Sequence, residues 1–420
     1  MDVNKESGMM NIMQKKRIIE AIKYWSQVFL LPIYWLSFLI PRNKKIWVFG
    51  SSFGKRFADN PRYFYLYINQ YKRGEIRAIW ITGDKGIAEF LKNNGLEAYH
   101  RHSLKGIWIC LRSAVFIFDN YSKDISFWLS GGAKKVNLWH GSGNKKTNYD
   151  NKFDRVRHPR NNWERFKTAL RRMSDEKPHH YTLATSPMMA DIFTSAFHTD
   201  LEHIIIEGYP RNDMLFQNDY KNIYTEQEMK ILDLLEECKT KSLKIILYMP
   251  TFRDSEALFF KVMDLKRFNE FLLKENMIFF TKLHPKSKLK SAFRDVEFSN
   301  ISNIDAGVDP YMILTYADLL VTDYSSIYSD YLMLNRPSVL FPYDFAEYTK
   351  DTRECYFEYD DYMPEIKAYN MDELMRYIKN AFIVDHFEEG RMNLRSRIFQ
   401  TADGKSSARL YHKVRDILNM

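Results

Sequence analysis

The chain has 420 residues, 45% hydrophobic, 27% charged and 15% aromatic, with a net charge of +9. That length accommodates two domains, and that composition excludes a disordered chain. The positive balance points to an anionic partner. Cys110, Cys238 and Cys355 are far apart and form no CxxC pair, which excludes a cysteine zinc site and fits a reducing compartment.

Residues up to about Asn11 are polar, and Lys15-Lys16-Arg17 supplies a basic flank. Tyr24 to Pro41, YWSQVFLLPIYWLSFLIP, carries no charge, and Arg42, Lys44 and Lys45 close it. The stretch approaches the roughly 20 residues of a spanning helix, but Pro32 interrupts it. Trp25, Tyr34 and Trp35 favour the headgroup layer, and no small-residue cleavage site follows. The favoured reading is an interfacial membrane-associating segment over 1–43, held at an anionic membrane surface by its cationic flanks. A true span and an amphipathic helix packed on the protein are the alternatives.

From Lys44 the pattern alternates between strands and helices. Apolar runs predict strands over 46–49, 78–81, 97–99, 114–118 and 135–139, then 181–186 and 202–207. Gly50-Ser51-Ser52-Phe53-Gly54, Asp119 and His140-Gly141 stand where strands end, as functional residues do in open α/β sheets. The interval 144–177 is strongly basic, with Lys145, Lys146, Arg155, Arg171 and Arg172 among its cations. It reads as a polyanion or membrane contact, or else as a solvated face.

Gly208-Tyr209-Pro210-Arg211-Asn212-Asp213 punctuates the chain, and a second α/β series follows. Strands are predicted over 244–248, ending at Pro250-Thr251-Phe252-Arg253, and over 277–282, ending at His284-Pro285. Ala317 to Tyr343 is the most informative stretch. Leu319-Leu320-Val321 reads as a strand buried on both faces, closed by Thr322-Asp323. Ser325 and Ser326 are good N-cap residues for a short helix, and Asn335-Arg336-Pro337 stops it before the next strand. Such a turn offers hydroxyls and backbone N–H groups to a phosphate; helix capping alone is the plainer reading. Helical pattern fills Met371 to the end. The expected architecture is α/β, with Rossmann-like domains over 44–207 and 208–420 facing each other across a cleft.

These strand ends resemble the CDP-glycerol glycerophosphotransferases of teichoic acid synthesis and their relatives in capsule assembly. The matching stretches are FGSSFGKRFADNPRYFY (49–65), LWHGSGNKKT (138–147), GYPRND (208–213), YMPTFRD (248–254), KLHP (282–285) and VTDYSSIYSDYLMLNRPSVLFPYD (321–344). Ser142-Gly143-Asn144 departs from the family's Thr-Pro-Leu type of turn. The resemblance implies a GT-B fold and a monotopic enzyme, peripheral on the cytoplasmic face of the cell membrane. It implies transfer of a polyol phosphate from a CDP-polyol to a hydroxyl of a lipid-linked acceptor, with no cofactor or metal. Carried over by motif, His140 is the base on the acceptor hydroxyl, and His284 contacts the donor phosphates or assists the leaving CMP. Ser325 and Ser326 hold the pyrophosphate. Arg211 and Arg253 are charge partners, and Asp323 orients a neighbour or closes its turn. A CDP-ribitol transferase, a glycosyltransferase using a nucleotide sugar and a non-catalytic polyanion-binding membrane protein are the competing readings. No RNA or DNA module is recognisable, so nucleic acid is not an expected partner.

Overall fold

A computed structural model describes residues 18–420 apart from 176–179, 217–222, 254–255, 288, 290–292, 294–297, 346–347 and 349–353. The polar start, the Lys15-Lys16-Arg17 flank, the last residues of the basic interval and Asp254 lie outside the described residues.

Seven parallel strands form the first sheet: β1 (Asn43–Phe49), β2 (Arg77–Thr82), β3 (Ala98–His100), β4 (Ser113–Phe118), β5 (Lys134–Asn137), β6 (Tyr181–Ala184) and β7 (Ile204–Ile206). Their spatial order is β3-β2-β1-β4-β5-β6-β7. Six parallel strands form the second: β8 (Lys244–Tyr248), β9 (Met277–Thr281), β10 (Ile301–Asn303), β11 (Leu319–Thr322), β12 (Ser338–Leu340) and β13 (Ile366–Lys367), in the order β10-β9-β8-β11-β12-β13. Both orders reverse beside the first strand of the sheet, and a ligand crevice opens at such a switch point. The central strands are buried on both faces: Trp47, Val48 and Phe49 in β1, all of β4, and Leu319, Leu320 and Val321 in β11. Continuous apolar runs are what a sheet covered on both sides demands.

Sequence pattern anticipates the buried strands and misses β10 and β13. Both are short edge strands, and Ile301-Ser302-Asn303 has too little apolar character to stand out. The last helix, Ser406–Ile417, does not stay with the second sheet. It returns to the first, placing the Tyr411 ring 5.9 Å from Trp47 and its hydroxyl 2.8 Å from a Glu75 carboxylate oxygen.

The segment before β1 is a broken helical run. A 3-10 turn at Ser26–Leu30 leads into an α-helix at Leu31–Leu36, with Pro32 in its first turn where no N–H is missed. No described helix is long and apolar enough to cross a membrane. Part of the run is packed: Tyr34 stacks on Phe127 at 4.6 Å, and Ser37 Oγ accepts from the Gly131 N–H at 3.0 Å. Arg42 fastens its end by donating to the Ser37, Leu129, Cys110, Ser113 and Gly131 carbonyls. The outward side is apolar, with Phe29 81% and Leu39 75% exposed beside Trp35 and Leu36.

Candidate active site

The C-terminal ends of both sheets face one cavity of about 450 Å³. From the first domain it receives Arg56, Trp139-His140-Gly141 and Gly143-Asn144-Lys145. From the second come Met249 to Phe252, Lys282 to Pro285, and Tyr324-Ser325-Ser326. Residues from widely separated strand ends, His140, His284, Ser325, Ser326 and Lys145, are therefore brought together.

His140 is aimed by its neighbours. Trp139 holds a left-handed backbone, φ 52°, which is costly for a residue with a Cβ. Asn60 Nδ2 donates to the Leu138 and Trp139 carbonyls at 3.2 and 2.9 Å, and the Trp139 N–H donates to Asn137 Oδ1 at 2.8 Å. These bonds offset the strain and turn the next side chain into the cleft. His140 Nδ1 lies 3.0 Å from the Asp119 carbonyl. A carbonyl only accepts, so Nδ1 carries the proton, and Nε2 presents a lone pair to the cavity.

His284 has the opposite arrangement. The Lys286 N–H donates to His284 Nδ1 at 3.2 Å, which puts the ring proton of the neutral imidazole on Nε2. The Phe252 ring lies 4.9 Å from it. The two neutral rings thus carry their protons on different nitrogens.

The serines differ from the capping expectation. The helix Ile327–Tyr331 follows Ser326, but Ser326 is in helical conformation and makes no side-chain cap bond. Among the described residues neither the Ser325 nor the Ser326 hydroxyl has a hydrogen-bond partner, and Ser326 is exposed to the cavity. The opposite domain comes so close that a Cβ on Gly141 would lie 3.4 Å from Ser326 Oγ, and one on Gly143 would lie 3.3 Å from Ser326 Cβ. Glycine is what allows this approach.

Arg211, Arg253 and Asp323 lie beneath the cavity. Arg211 is 1% exposed and donates at 2.8 Å to Asp59 of the first domain and at 2.8 Å to Asp330 of the second. Asp323 is fully buried; its carboxylate takes the Thr251 N–H at 2.8 Å and Arg253 Nη1 at 2.6 Å. Arg253 also grips Asp344. The two arginines are thus committed to carboxylates, and Asp323 ties the loop after β8 to the loop after β11. The basic interval divides. Lys145 lines the cavity, Lys146 pairs with Glu354 at 2.9 Å, Arg155 is exposed elsewhere, and the Arg171 N–H donates to the Tyr24 hydroxyl at 3.2 Å near the N-terminal segment. Arg172 donates to the Arg165 carbonyl at 2.9 Å on that same helical surface.

Sequence reasoning passed over Arg56, Lys282 and Tyr324, all of which line the cavity. Arg56 and Lys282 stand within the FGSSFGKRFADNPRYFY and KLHP stretches, but a single cation carries no spacing signal. Lys282 is buried at the cavity wall and donates to the Asp305 carbonyl at 3.0 Å. Behind His140, Asp119 and Asp124 are both buried, and desolvation pushes both carboxyls up. Asp119 accepts from Ser51 Oγ at 2.5 Å and Asp124 from the Phe53 N–H at 2.8 Å, so the pair shapes the loop after β1. Among the described residues, the one cluster with metal-ligand spacing is Asp200, Glu202 and His203, none of which lines the cavity.

Known proteins resemble this chain in sequence and in fold. A teichoic acid poly(glycerol phosphate) polymerase of Bacillus spizizenii is 29% identical over 334 residues, 78% of this chain and 81% of that protein. A teichoic acid glycerol-phosphate transferase of Staphylococcus aureus is 26% identical over 375 residues, 88% of this chain and 92% of that protein. The solved structure of the wall teichoic acid polymerase TagF superposes with a TM-score of 0.72 over 97% of this chain and 98% of its own, at 22% identity, which establishes a shared fold. The sequence profile of the CDP-glycerol:poly(glycerophosphate) glycerophosphotransferases matches residues 33–416, and the chain belongs to that family.

Proposed function

We propose that this chain transfers glycerol phosphate from CDP-glycerol to a hydroxyl of a membrane-linked acceptor, releasing CMP, in teichoic acid synthesis. The observation that carries the reading is the pair of histidines with opposite neutral tautomers on one cavity. The acceptor hydroxyl gives its proton to His140 Nε2 as its oxygen attacks the phosphorus that bears glycerol. The bond from that phosphorus to the CMP oxygen breaks, and His284 Nε2–H meets the charge developing on the leaving phosphate. The free hydroxyls of Ser325 and Ser326 donate to the diphosphate. Arg211, Arg253 and Asp323 hold the loops that carry these groups.

We infer peripheral membrane attachment, on the cytoplasmic face, and the exposed apolar side of the N-terminal run supports the attachment. That side continues into Trp163 and Phe166, since Trp25 stacks on Phe166 at 4.8 Å. Arg165, Lys167 and Arg171 flank this surface, as an anionic lipid interface favours.

The test is product mass spectrometry with purified protein, a lipid-linked acceptor, and CDP-glycerol, CDP-ribitol or UDP-sugars supplied separately. Acceptor enlarged by glycerol phosphate, with CMP released, is the expected result. Transfer from CDP-ribitol alone would change the polyol; transfer from a UDP-sugar alone would overturn the reaction class.

A further inference from the structure

The loop that follows the base is bonded to the opposite domain more heavily than a cleft wall requires. Asn144 lies four residues after His140, and its carboxamide pairs with the backbone of Phe357 in the second domain. Asn144 Nδ2 donates to the Phe357 carbonyl at 2.9 Å, and the Phe357 N–H donates to Asn144 Oδ1 at 2.8 Å. The side chain thereby extends an antiparallel pairing begun by the backbone. There the Tyr356 N–H donates to the Asn144 carbonyl and the Lys146 N–H to the Glu354 carbonyl, at 2.8 and 2.9 Å, with Lys145 opposite Cys355. Lys146 and Lys152 both reach Glu354, at 2.9 and 3.0 Å. Closer to the base, the Ser142 carbonyl accepts from Ser329 Oγ at 2.9 Å and from the Tyr362 hydroxyl.

We propose that Asn144 is a positioning residue: by clasping the base-bearing loop to the second domain, it fixes His140 relative to Ser325 and Ser326. The clasp stays made during the reaction. The inference rests on the glycerophosphotransfer reading and deepens it, assigning a role to a residue that is not itself in the proton path. Two features support it. Asn144 and Tyr356, one from each side of the pairing, both line the cavity, so the clasp is its wall. The cavity stands open at about 450 Å³ with the clasp made, so the closed arrangement leaves room for substrate. An orientation held across two domains is costly to lose, since a displacement of about 1 Å can lower a rate about 10²-fold.

Two variants test this. Asn144→Ala should lower kcat about 10–100-fold, with CDP-glycerol affinity by calorimetry unchanged and the pH profile of kcat keeping its shape. Unchanged kcat, or a parallel loss of kcat and donor affinity, overturns the positioning role. The second variant uses the pairing itself. Lys145 and Cys355 form a non-hydrogen-bonded antiparallel pair, whose Cα atoms lie about 4.5 Å apart, within the range of about 4.4–6.8 Å that a disulfide accepts. Cys110 and Cys238 are buried and out of the way. K145C should therefore cross-link to Cys355 under mild oxidation, read by mass spectrometry after thiol labelling. Oxidised and reduced K145C are then compared with each other. Equal turnover is expected; loss on oxidation, restored by reductant, would show that the clasp must open and overturn the proposal. Failure to cross-link would show that the pairing does not form in solution, with the same consequence. Failure of the reaction reading is separate: it appears as wild-type protein that releases no CMP from CDP-glycerol.

Discussion

At the scale of single residues, the ring proton distinguishes the two histidines. His140 is held by a carbonyl acceptor and His284 by an N–H donor, so identical side chains carry the ring proton of the neutral form on different nitrogens. His140→Ala should lose about 10²–10⁴ in turnover, the usual contribution of a general base, while CDP-glycerol still binds. His284→Ala should lose donor affinity as well as rate if, as proposed, its Nε2–H meets the donor phosphates. Turnover and calorimetric affinity measured on both variants decide this. Near wild-type turnover in His140→Ala places the base elsewhere. Ser325 and Ser326 teach a related lesson. Their type and position read as caps, yet among the described residues their hydroxyls have no hydrogen-bond partner and line the cavity.

At the scale of elements, the N-terminal run and the helix Glu388–Ile398 each carry a prediction. Deleting residues 1–30 should leave a folded chain that binds CDP-glycerol but floats poorly with anionic liposomes. Full flotation of that truncation would move the anchor to the retained Trp35–Leu39 face or to the Trp163–Phe166 surface. Cutting through residue 42 should cost stability too, because Arg42 satisfies carbonyls of three other loops and strands. The helix Glu388–Ile398 is tied to the second sheet by Arg391, which pairs with buried Glu365 at 3.0 Å. Burial pushes the Glu365 carboxyl up to about 7 from 4.5, its desolvation outweighing the guanidinium. The folded chain therefore holds this proton more tightly than the unfolded chain does. The group's stabilisation is complete below about 4.5 and is lost as pH rises toward 7. Urea midpoints at pH 5 and pH 8 should differ less in Glu365→Gln than in the parent chain. An equal difference assigns the pH dependence to another group.

At the scale of the molecule, the domains are joined through buried charge. Arg211 binds Asp59 and Asp330, one from each side, and Arg62 of the first domain reaches Glu228 at 2.9 Å and Asp309 at 3.5 Å in the second. Removing Arg211 leaves the Asp330 carboxylate buried with the Tyr311 hydroxyl as its remaining donor. Arg211→Ala should therefore cost about 3–5 kcal/mol of unfolding free energy, and Arg211→Lys should fall between, since an ammonium lacks the fork that serves both carboxylates. Chemical denaturation measures this. A variant of unchanged stability that binds CDP-glycerol weakly would return Arg211 to the donor phosphates.

The sequence by itself determined the class of fold and the family. Strands buried on both faces must be apolar throughout, so β1, β4, β8, β9 and β11 are visible as runs, and the residues that end them are visible as motifs. The polar edge strand β10 and the two-residue β13 gave no such signal, because edge pairing asks little of side chains. Tertiary structure alone decided which groups line the cavity. Arg211, Arg253 and Asp323 sit in motifs like those of His284 and the serines, yet their charges are spent on counter-charges: Arg211 on Asp59 and Asp330 across the domains, and Arg253 on Asp323 within the second. Arg56 and Lys282 carried no distinguishing pattern and line the cavity. Local sequence records the conformation a segment must adopt; whether a charge meets ligand or counter-charge depends on what another part of the chain brings to it. The pairing of Asn144 with Phe357, 213 residues away, is a contact of that kind.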